Sequence, residues 1–459
     1  MSRYGTRKSK WQVACGCIAA VLLFLAVAWM GVHTGARSAE LIATHASDIV
    51  NVWSEASSHR EGTVTSTPVV GTHIYTPYAG GGSGQLIPAG GGVILEAGDA
   101  SLPTALQGTS ARAAVLVEAT SGEVVFAQNE KTRLPMASTT KIMTALVALE
   151  QLPLDTPVTV TPASVGVEGS SIYLTVGEVL TLEDLLYALL LESANDAAAT
   201  IAVAVAGDIP SFAALMNEKA TELGLVDTRF ENPHGLDAEG HYTTALELAL
   251  ITRAALENQD FCRIAATKRH IIPLRGDEGV RVLLNHNRLL TSYEGCIGVK
   301  TGFTKKTGRC LVSAAERDGV RLIAVTLNAP NDWQDHTAML DYGFGVYRSV
   351  VLCEPGWYDV PMSLVGGAQE YVMVENRDAL IVSLRRDHGP VMCVVERRRF
   401  DFSPITAGER TGRLLFYEVQ PDGTRSLLGE VPLYAAYGVE ALRKPQGFFD
   451  RIIAWIRRN

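Results

Sequence analysis

Leu134-Pro135-Met136-Ala137-Ser138-Thr139-Thr140-Lys141 runs directly into Ile142-Met143-Thr144-Ala145-Leu146-Val147-Ala148-Leu149-Glu150. Ile142, Leu146 and Leu149 recur at helical spacing, so Ser138 is expected to start a buried helix. Three residues is just under one turn, which stacks Lys141 over Ser138 with its amine in reach of the hydroxyl. The helix N-terminus also favours developing negative charge. A serine hydroxyl is a poor nucleophile at neutral pH without a base, and a lysine desolvated among apolar residues can be neutral enough to serve. Taken alone, an N-cap serine beside a solvated lysine would leave the same letters.

Working outward, Thr181 with Asp184 three residues on forms a capping-box pattern, opening a helix with Leu182, Leu185, Leu186, Leu189 and Leu190. Ser193-Ala194-Asn195 closes it before an apolar run resumes at Ala197. Polar groups at the end of a buried helix need partners or a cavity. Either Asn195 and Asp196 cap a helix-to-helix turn, or Ser193 relays protons between Lys141 and a leaving group while Asn195 holds a substrate amide. Lys300-Thr301-Gly302 lies in the strand-like run Cys296 to Thr304. A predicted hairpin follows: Arg309 to Ala315, a turn at Asp318-Gly319, then Val320 to Thr326. On an edge strand Lys300 and Thr301 can bind a carboxylate, and Gly302 lets a ligand approach the backbone. A C-terminal carboxylate is the expected substrate handle, an ordinary strand end the alternative for this motif alone.

In this order the motifs resemble those of penicillin-binding proteins and class A β-lactamases, which carry Ser-X-X-Lys, Ser-Asp-Asn and Lys-Thr-Gly. Further stretches are similar to the low-molecular-mass serine D-alanyl-D-alanine carboxypeptidases. They are Gly169-Ser170-Ser171-Ile172-Tyr173-Leu174, Asn232-Pro233-His234-Gly235-Leu236, His241-Tyr242-Thr243-Thr244-Ala245 and Asn285-His286-Asn287-Arg288-Leu289-Leu290. The likeness runs from about Ala113 to Phe344 and continues more weakly beyond. It implies an α+β fold: a penicillin-binding/β-lactamase-like catalytic domain, an antiparallel sheet with flanking helices and a helical subdomain, followed by a small all-β domain. It also implies two-step hydrolysis of peptidoglycan stem pentapeptides, with β-lactam antibiotics as covalent inhibitors and no cofactor. Ser138, Lys141 and Ser193 would be catalytic, and Asn195, Lys300, Thr301 and Gly302 would bind substrate. Backbone N–H groups of Ser138 and Phe303 would hold the oxyanion. Some relatives carry histidine where Phe303 stands, and an arginine farther on that helps grip the carboxylate. Asn328 to His336 contains no arginine.

Two rivals share the nucleophile. A β-lactamase needs rapid deacylation, yet Ala194 stands where class A members have aspartate, and no convincing glutamate-bearing loop separates the second and third motifs. A catalytically silent penicillin-binding envelope protein would keep all three motifs.

The 459 residues exceed one typical domain, and 47% hydrophobic content supports a sizeable core. A net charge of -9, with no basic stripe, Walker loop or dinucleotide fingerprint, argues against nucleic acid as partner. His234 and His241 lack a Cys/His cluster around them, so no metal site is expected. Arg3, Arg7, Lys8 and Lys10 precede an uncharged run from Trp11 to Val32 that is long enough to span a bilayer, positive flank inside. Ala36-Arg37-Ser38 resembles a cleavage site, so residues 1–38 are either a removed signal peptide or a retained anchor. Residues 39–108 read as a flexible Gly/Ser/Thr-rich tether, residues 109–347 as the catalytic domain and residues 348–440, with short alternating strands, as a β-sandwich. Over residues 441–459, Phe448, Phe449, Ile452, Ile453, Trp455 and Ile456 fall mostly on one helical face flanked by arginines. That pattern is an interfacial helix, so a membrane surface is an expected partner and the extracytoplasmic face of the bacterial cell membrane the expected location. The seven cysteines have no regular spacing and make no disulfide scaffold, although Cys296 and Cys310 flank the third motif on neighbouring strands and stay a candidate pair.

Overall fold

The structure, a computed structural model, describes residues 92–98, 102–274 and 279–442. Trp11 to Val32, the Ala36-Arg37-Ser38 site, the tether up to residue 91 and the terminal Phe448 to Arg458 lie outside the described residues.

The described chain opens with β1 (Gly92–Leu95), β2 (Ala113–Glu118) and β3 (Val124–Gln128), then a 3-10 turn (Ala137–Thr140) that leads into α1 (Lys141–Gln151). β4 (Pro157–Thr159) and β5 (Val179–Thr181) precede five helices: α2 (Leu182–Leu190), α3 (Asn195–Ala206), α4 (Ile209–Glu222), α5 (Ala245–Ala255) and α6 (Gln259–Ala265). The β6–β7 hairpin (Arg269–Pro273, Val280–Leu284) and α7 (Leu289–Ser292) lead to β8 (Cys296–Thr304), β9 (Gly308–Arg317), β10 (Val320–Leu327) and α8 (Asp332–Val346).

β2, β3, β8, β9 and β10 form one antiparallel sheet in the order β3-β2-β10-β9-β8, which leaves β8 and its Lys-Thr-Gly on an edge. β2 is buried on both faces, hence its unbroken apolar letters. Val115 and Val117 join Ile142, Leu185 and Leu248 in one core, while Ala114 and Leu116 meet Met339 and Leu340 of α8 in another. Each fully buried aliphatic side chain of this kind contributes about 1.5–3 kcal/mol. α2 starts as its letters indicate, with Thr181 Oγ1 accepting from the Asp184 N–H at 3.1 Å. The predicted hairpin is β9–β10, turned at Asp318-Gly319.

Past α8 the chain is all strand: β11 (Tyr347–Cys353), β12 (Asp359–Val365), β13 (Tyr371–Asn376), β14 (Leu380–Arg385), β15 (Val391–Arg397), β16 (Phe400–Phe402), β17 (Arg410–Val419) and β18 (Arg425–Ala435). A seven-stranded sheet, β1-β15-β17-β18-β13-β12-β16, and the β11–β14 pair enclose a separate core that includes Met362, Val374 and Phe416.

Two expectations differ from this structure. Residues 39–108 are expected to be a flexible tether, yet Gly92–Leu95 pairs antiparallel with β15, Gly92 opposite Cys393. The reason is local: Ile94 and Leu95 are aliphatic enough to pack on the second core, and Leu102 and Leu106 pack against the core under α8. The Cys296–Cys310 pair is excluded by register, because Cys296 faces Ala315 while Cys310 faces Gly302, and both are free thiols.

Candidate active site

Ser138 sits within the 3-10 turn rather than at an α-helical N-cap, and Lys141 opens α1. The tighter turn brings the two together: Lys141 Nζ lies 3.0 Å from Ser138 Oγ. Lys141 is completely buried, and its amine also meets Asn195 Oδ1 at 2.7 Å and the His234 carbonyl at 2.6 Å. Burial, reinforced by the positive charge of Lys300, pushes its pKa well below the ordinary lysine value. A neutral amine has two N–H bonds and one lone pair. The two carbonyl acceptors take the N–H bonds, which leaves the lone pair for the Ser138 hydroxyl proton.

Gly235 makes this packing possible. A Cβ there would fall 1.9 Å from the Ala137 carbonyl oxygen, so only glycine lets the Asn232–Leu236 turn lie under the Ala137–Thr140 turn. His241 props the same turn from the other side. Glu231 donates its backbone N–H to Nδ1 at 3.0 Å, which leaves the ring proton on Nε2 to be donated to Thr140 Oγ1 at 2.7 Å. Burial lowers the pKa of His234 to about 3 and of His241 to about 4, so both rings are neutral near pH 7. Among the described residues there is no cluster of three or more His, Cys, Asp or Glu side chains able to hold a metal ion.

Ser193 sits between α2 and α3, nearly buried, with φ 59°. Its Oγ makes no hydrogen bond among the described residues, so it is available to a substrate. Asn195, expected to hold a substrate amide, is engaged at both ends within the protein: Oδ1 accepts from Lys141, and Nδ2 donates to the Glu168 carbonyl at 2.5 Å. Its amide oxygen is therefore already engaged with Lys141. Lys300 is buried, donates to the Thr301 carbonyl at 3.0 Å, and is lowered to about 7 by burial, an effect the Glu192 carboxylate opposes. A Cβ on Gly302 would come within 3.1 Å of the Ser138 and Thr139 amide nitrogens, so β8 lies directly against the backbone of Ser138. Phe303, next along, is exposed.

Three contributors carried little or no sequence signal. Asp196, two percent exposed, accepts from Ser171 Oγ at 2.6 Å, Leu174 N–H at 3.0 Å and Ile172 N–H at 3.3 Å, fixing the 170–174 loop beside the second motif. Its only hint was a carboxylate in an alanine run, which reads equally well as a cap. Arg281, on β7, donates to the Ile172 carbonyl at 3.0 Å and pairs with Glu178, clamping that loop from outside. Arg309 is the cross-strand partner of Phe303, and its guanidinium lies 2.9 Å from Asp332 Oδ2 and 5.9 Å from the Trp333 ring centre. It brings a cation to the Asn328–His336 stretch, which contains no lysine or arginine. A cavity of about 390 Å³ lined by Arg253, Glu257, Glu316 and Arg321 contains no residue of the three motifs, and Arg253 and Arg321 are already bonded to Ala119 and Glu316.

A buried lysine aimed at a serine, a second buried lysine on an edge strand and glycine against the nucleophile's amide define an active-site-serine acyl-transfer enzyme of the penicillin-binding fold. A family model described as D-alanyl-D-alanine carboxypeptidase matches residues 100–331. The D-alanyl-D-alanine carboxypeptidase DacF of Bacillus subtilis (strain 168) is 30% identical over 335 residues, covering 71% of this chain and 85% of its own. A point mutant of the Streptomyces K15 DD-transpeptidase superposes with a TM-score of 0.50 at 33% identity, over 52% of this chain and all of its own. Penicillin binding protein 5 from Haemophilus influenzae shares the fold over 74% of this chain and all of its own, with a TM-score of 0.54 at 24% identity. The chain belongs to the D-alanyl-D-alanine carboxypeptidase family.

Proposed function

We propose that this protein removes the terminal D-alanine from peptidoglycan stem pentapeptides through an acyl-enzyme on Ser138, at the extracytoplasmic face of the bacterial membrane. The observation that carries the reading is the 3.0 Å approach of a fully buried Lys141 amine to Ser138 Oγ. Ser138 gives its proton to Lys141 as Oγ bonds to the carbonyl carbon between the last two D-alanines. The oxyanion is held by the N–H groups of Ser138 and Phe303. The C–N bond then breaks, Ser193 passes the proton to the departing amine, and D-alanine leaves. Water hydrolyses the ester and returns the proton to Ser138. Lys300 as a cation and Thr301 through its hydroxyl hold the substrate carboxylate, with Arg309 as an outer contact. Asn195 keeps Lys141 in place. A β-lactam acylates Ser138 by the same attack, but its leaving amine stays tethered to the opened ring.

The membrane association follows from the hydrophobic Trp11–Val32 run and the amphipathic terminal segment. The test of function is D-alanine release from a pentapeptide by the purified full chain and by Ser138→Ala. Loss of release and of the penicillin adduct in the variant is expected, and retained release would overturn the assignment. Fast penicillin hydrolysis by the wild type would favour a β-lactamase. A stable adduct with no release would leave a binding protein.

A further inference from the structure

The far edge of the seven-stranded sheet breaks the usual distribution of apolar residues. β16 is the edge strand and runs parallel to β12, with Phe400 beside Ser363 and Phe402 beside Val365. Leu364, between those two rows, points into the core, so Phe400, Phe402 and Val365 share the outward face. Tyr371, opposite Ser363 on β13, extends that face. Phe400 is 52% exposed, Phe402 64% and Tyr371 52%, and the two phenylalanine rings lie edge to face at 5.7 Å. Aromatic side chains clustered this way on water mark a surface that is covered in use.

Where the chain ends says by what. Ala441 bridges to Gly367, and the Leu442 N–H donates to the Gly366 carbonyl at 2.8 Å, one residue past Val365. Leu442 is 63% exposed. The last described residues therefore lie at this aromatic edge, and the amphipathic sequence with Phe448, Phe449, Ile452, Ile453, Trp455 and Ile456 follows them in the chain. Arg397, Arg398 and Arg399 immediately precede β16. Arg398 is paired with Asp401, while neither Arg397 nor Arg399 has a carboxylate partner among the described residues. A second copy fits poorly, since a three-residue edge offers little strand pairing and two arginine triplets would repel.

We infer that the β16 edge is a second membrane contact, with Phe400, Phe402, Val365 and Leu442 seated at the headgroup boundary of an anionic bilayer and Arg397 and Arg399 on lipid phosphates. It rests on the membrane reading of the terminal segment and adds an orientation: two attachments on one edge fix the tilt of the β-rich half, where one alone would leave it free to swing.

The test uses the full chain reconstituted into phosphatidylcholine vesicles, with and without phosphatidylglycerol, that carry a trace of diazirine phospholipid. After photolysis, lipid adducts are mapped by mass spectrometry. Adducts on both the 397–402 peptide and the 443–459 peptide, more abundant with phosphatidylglycerol, are expected. Phe400→Ser with Phe402→Ser should lower the yield on 397–402 about tenfold and leave D-alanine release unchanged. Adducts on 443–459 with none on 397–402 overturn the second contact and leave the membrane reading intact. Adducts on neither peptide overturn the membrane reading itself. A dimer of the wild-type chain by analytical ultracentrifugation that Phe400→Ser with Phe402→Ser abolishes, with no lipid adducts on 397–402, assigns the edge to a second copy and overturns the inference.

Discussion

Around Ser138 the fold buries Lys141, Lys300, Asn195 and Asp196, whereas in the β-rich half it leaves Phe400 and Phe402 more than half exposed. One region puts charge inside and the other puts aromatic rings outside, each against the solvation cost that normally sorts residues. The buried ionisable groups beside Ser138 have partners: Lys141 meets two carbonyls and Ser138, and Asp196 meets three N–H or O–H donors of the 170–174 loop. Among the described residues, the rings at the β16 edge have an aromatic partner only in each other. A satisfied buried network is internally complete and needs only a substrate, whereas an unsatisfied aromatic edge needs a surface.

The comparison breaks most readily at Lys141. Lys141→Arg places a permanent cation where a neutral amine is needed and cannot accept the serine proton, and should slow penicillin acylation of Ser138 by about 10³-fold, read by quenched-flow adduct formation. A near-normal rate would mean that the buried lysine is structural. Asp196→Ala leaves the Ser171 hydroxyl and the Ile172 and Leu174 amides without their acceptor, and should cost about 2–4 kcal/mol in denaturant unfolding. Lys300 gives a pH signature. Its pKa of about 7 in the fold lies below the ordinary value of 10.5, so between the two the unfolded chain holds the extra proton and stability should rise with pH. Activity moves oppositely over that window: kcat/KM should fall above pH about 7 as the cation that holds the carboxylate is lost. Lys300→Gln should flatten the activity profile and lessen the stability slope, to which the lowered pKa of Lys141 also contributes. Arg309→Ala should raise KM roughly fivefold with kcat retained, and a kcat effect instead would move Arg309 from substrate binding to support of β8. The smallest effect sharpens the other side: Phe400→Ser with Phe402→Ser should shift the unfolding free energy by less than about 1 kcal/mol. A larger loss would make the exposed edge part of the core.

Much of the catalytic half was legible because its chemistry sits in short local patterns. Ser138 and Lys141 are three residues apart, Thr181 caps the helix its letters announce, and Lys300-Thr301-Gly302 lies in a run that alternates like a strand. What stayed hidden depends on contacts far apart in sequence. Asn195 looks like a substrate ligand until Lys141 is placed against it, 54 residues away. Arg281 reaches a loop 109 residues earlier, and Arg309 faces Phe303 only because β8 and β9 pair in that register. The same holds for β1: Gly92–Leu95 reads as the end of a glycine-rich linker, and only β15, some 300 residues later, gives its N–H and carbonyl groups partners.

That pairing makes the catalytic half an insertion. β1 lies ahead of β2, while the strands that complete its sheet come after α8, so the two ends of the described chain both belong to the β-rich half. The N-terminal strand must wait for Val391–Arg397 to be made before its ladder closes, which ties completion of the β-rich half to synthesis of the whole catalytic half. Mechanically, a pull arriving from the amino-terminal side meets the β1–β15 ladder before it meets any helix near Ser138. The serine site is thus insulated from tension along the chain that carries it.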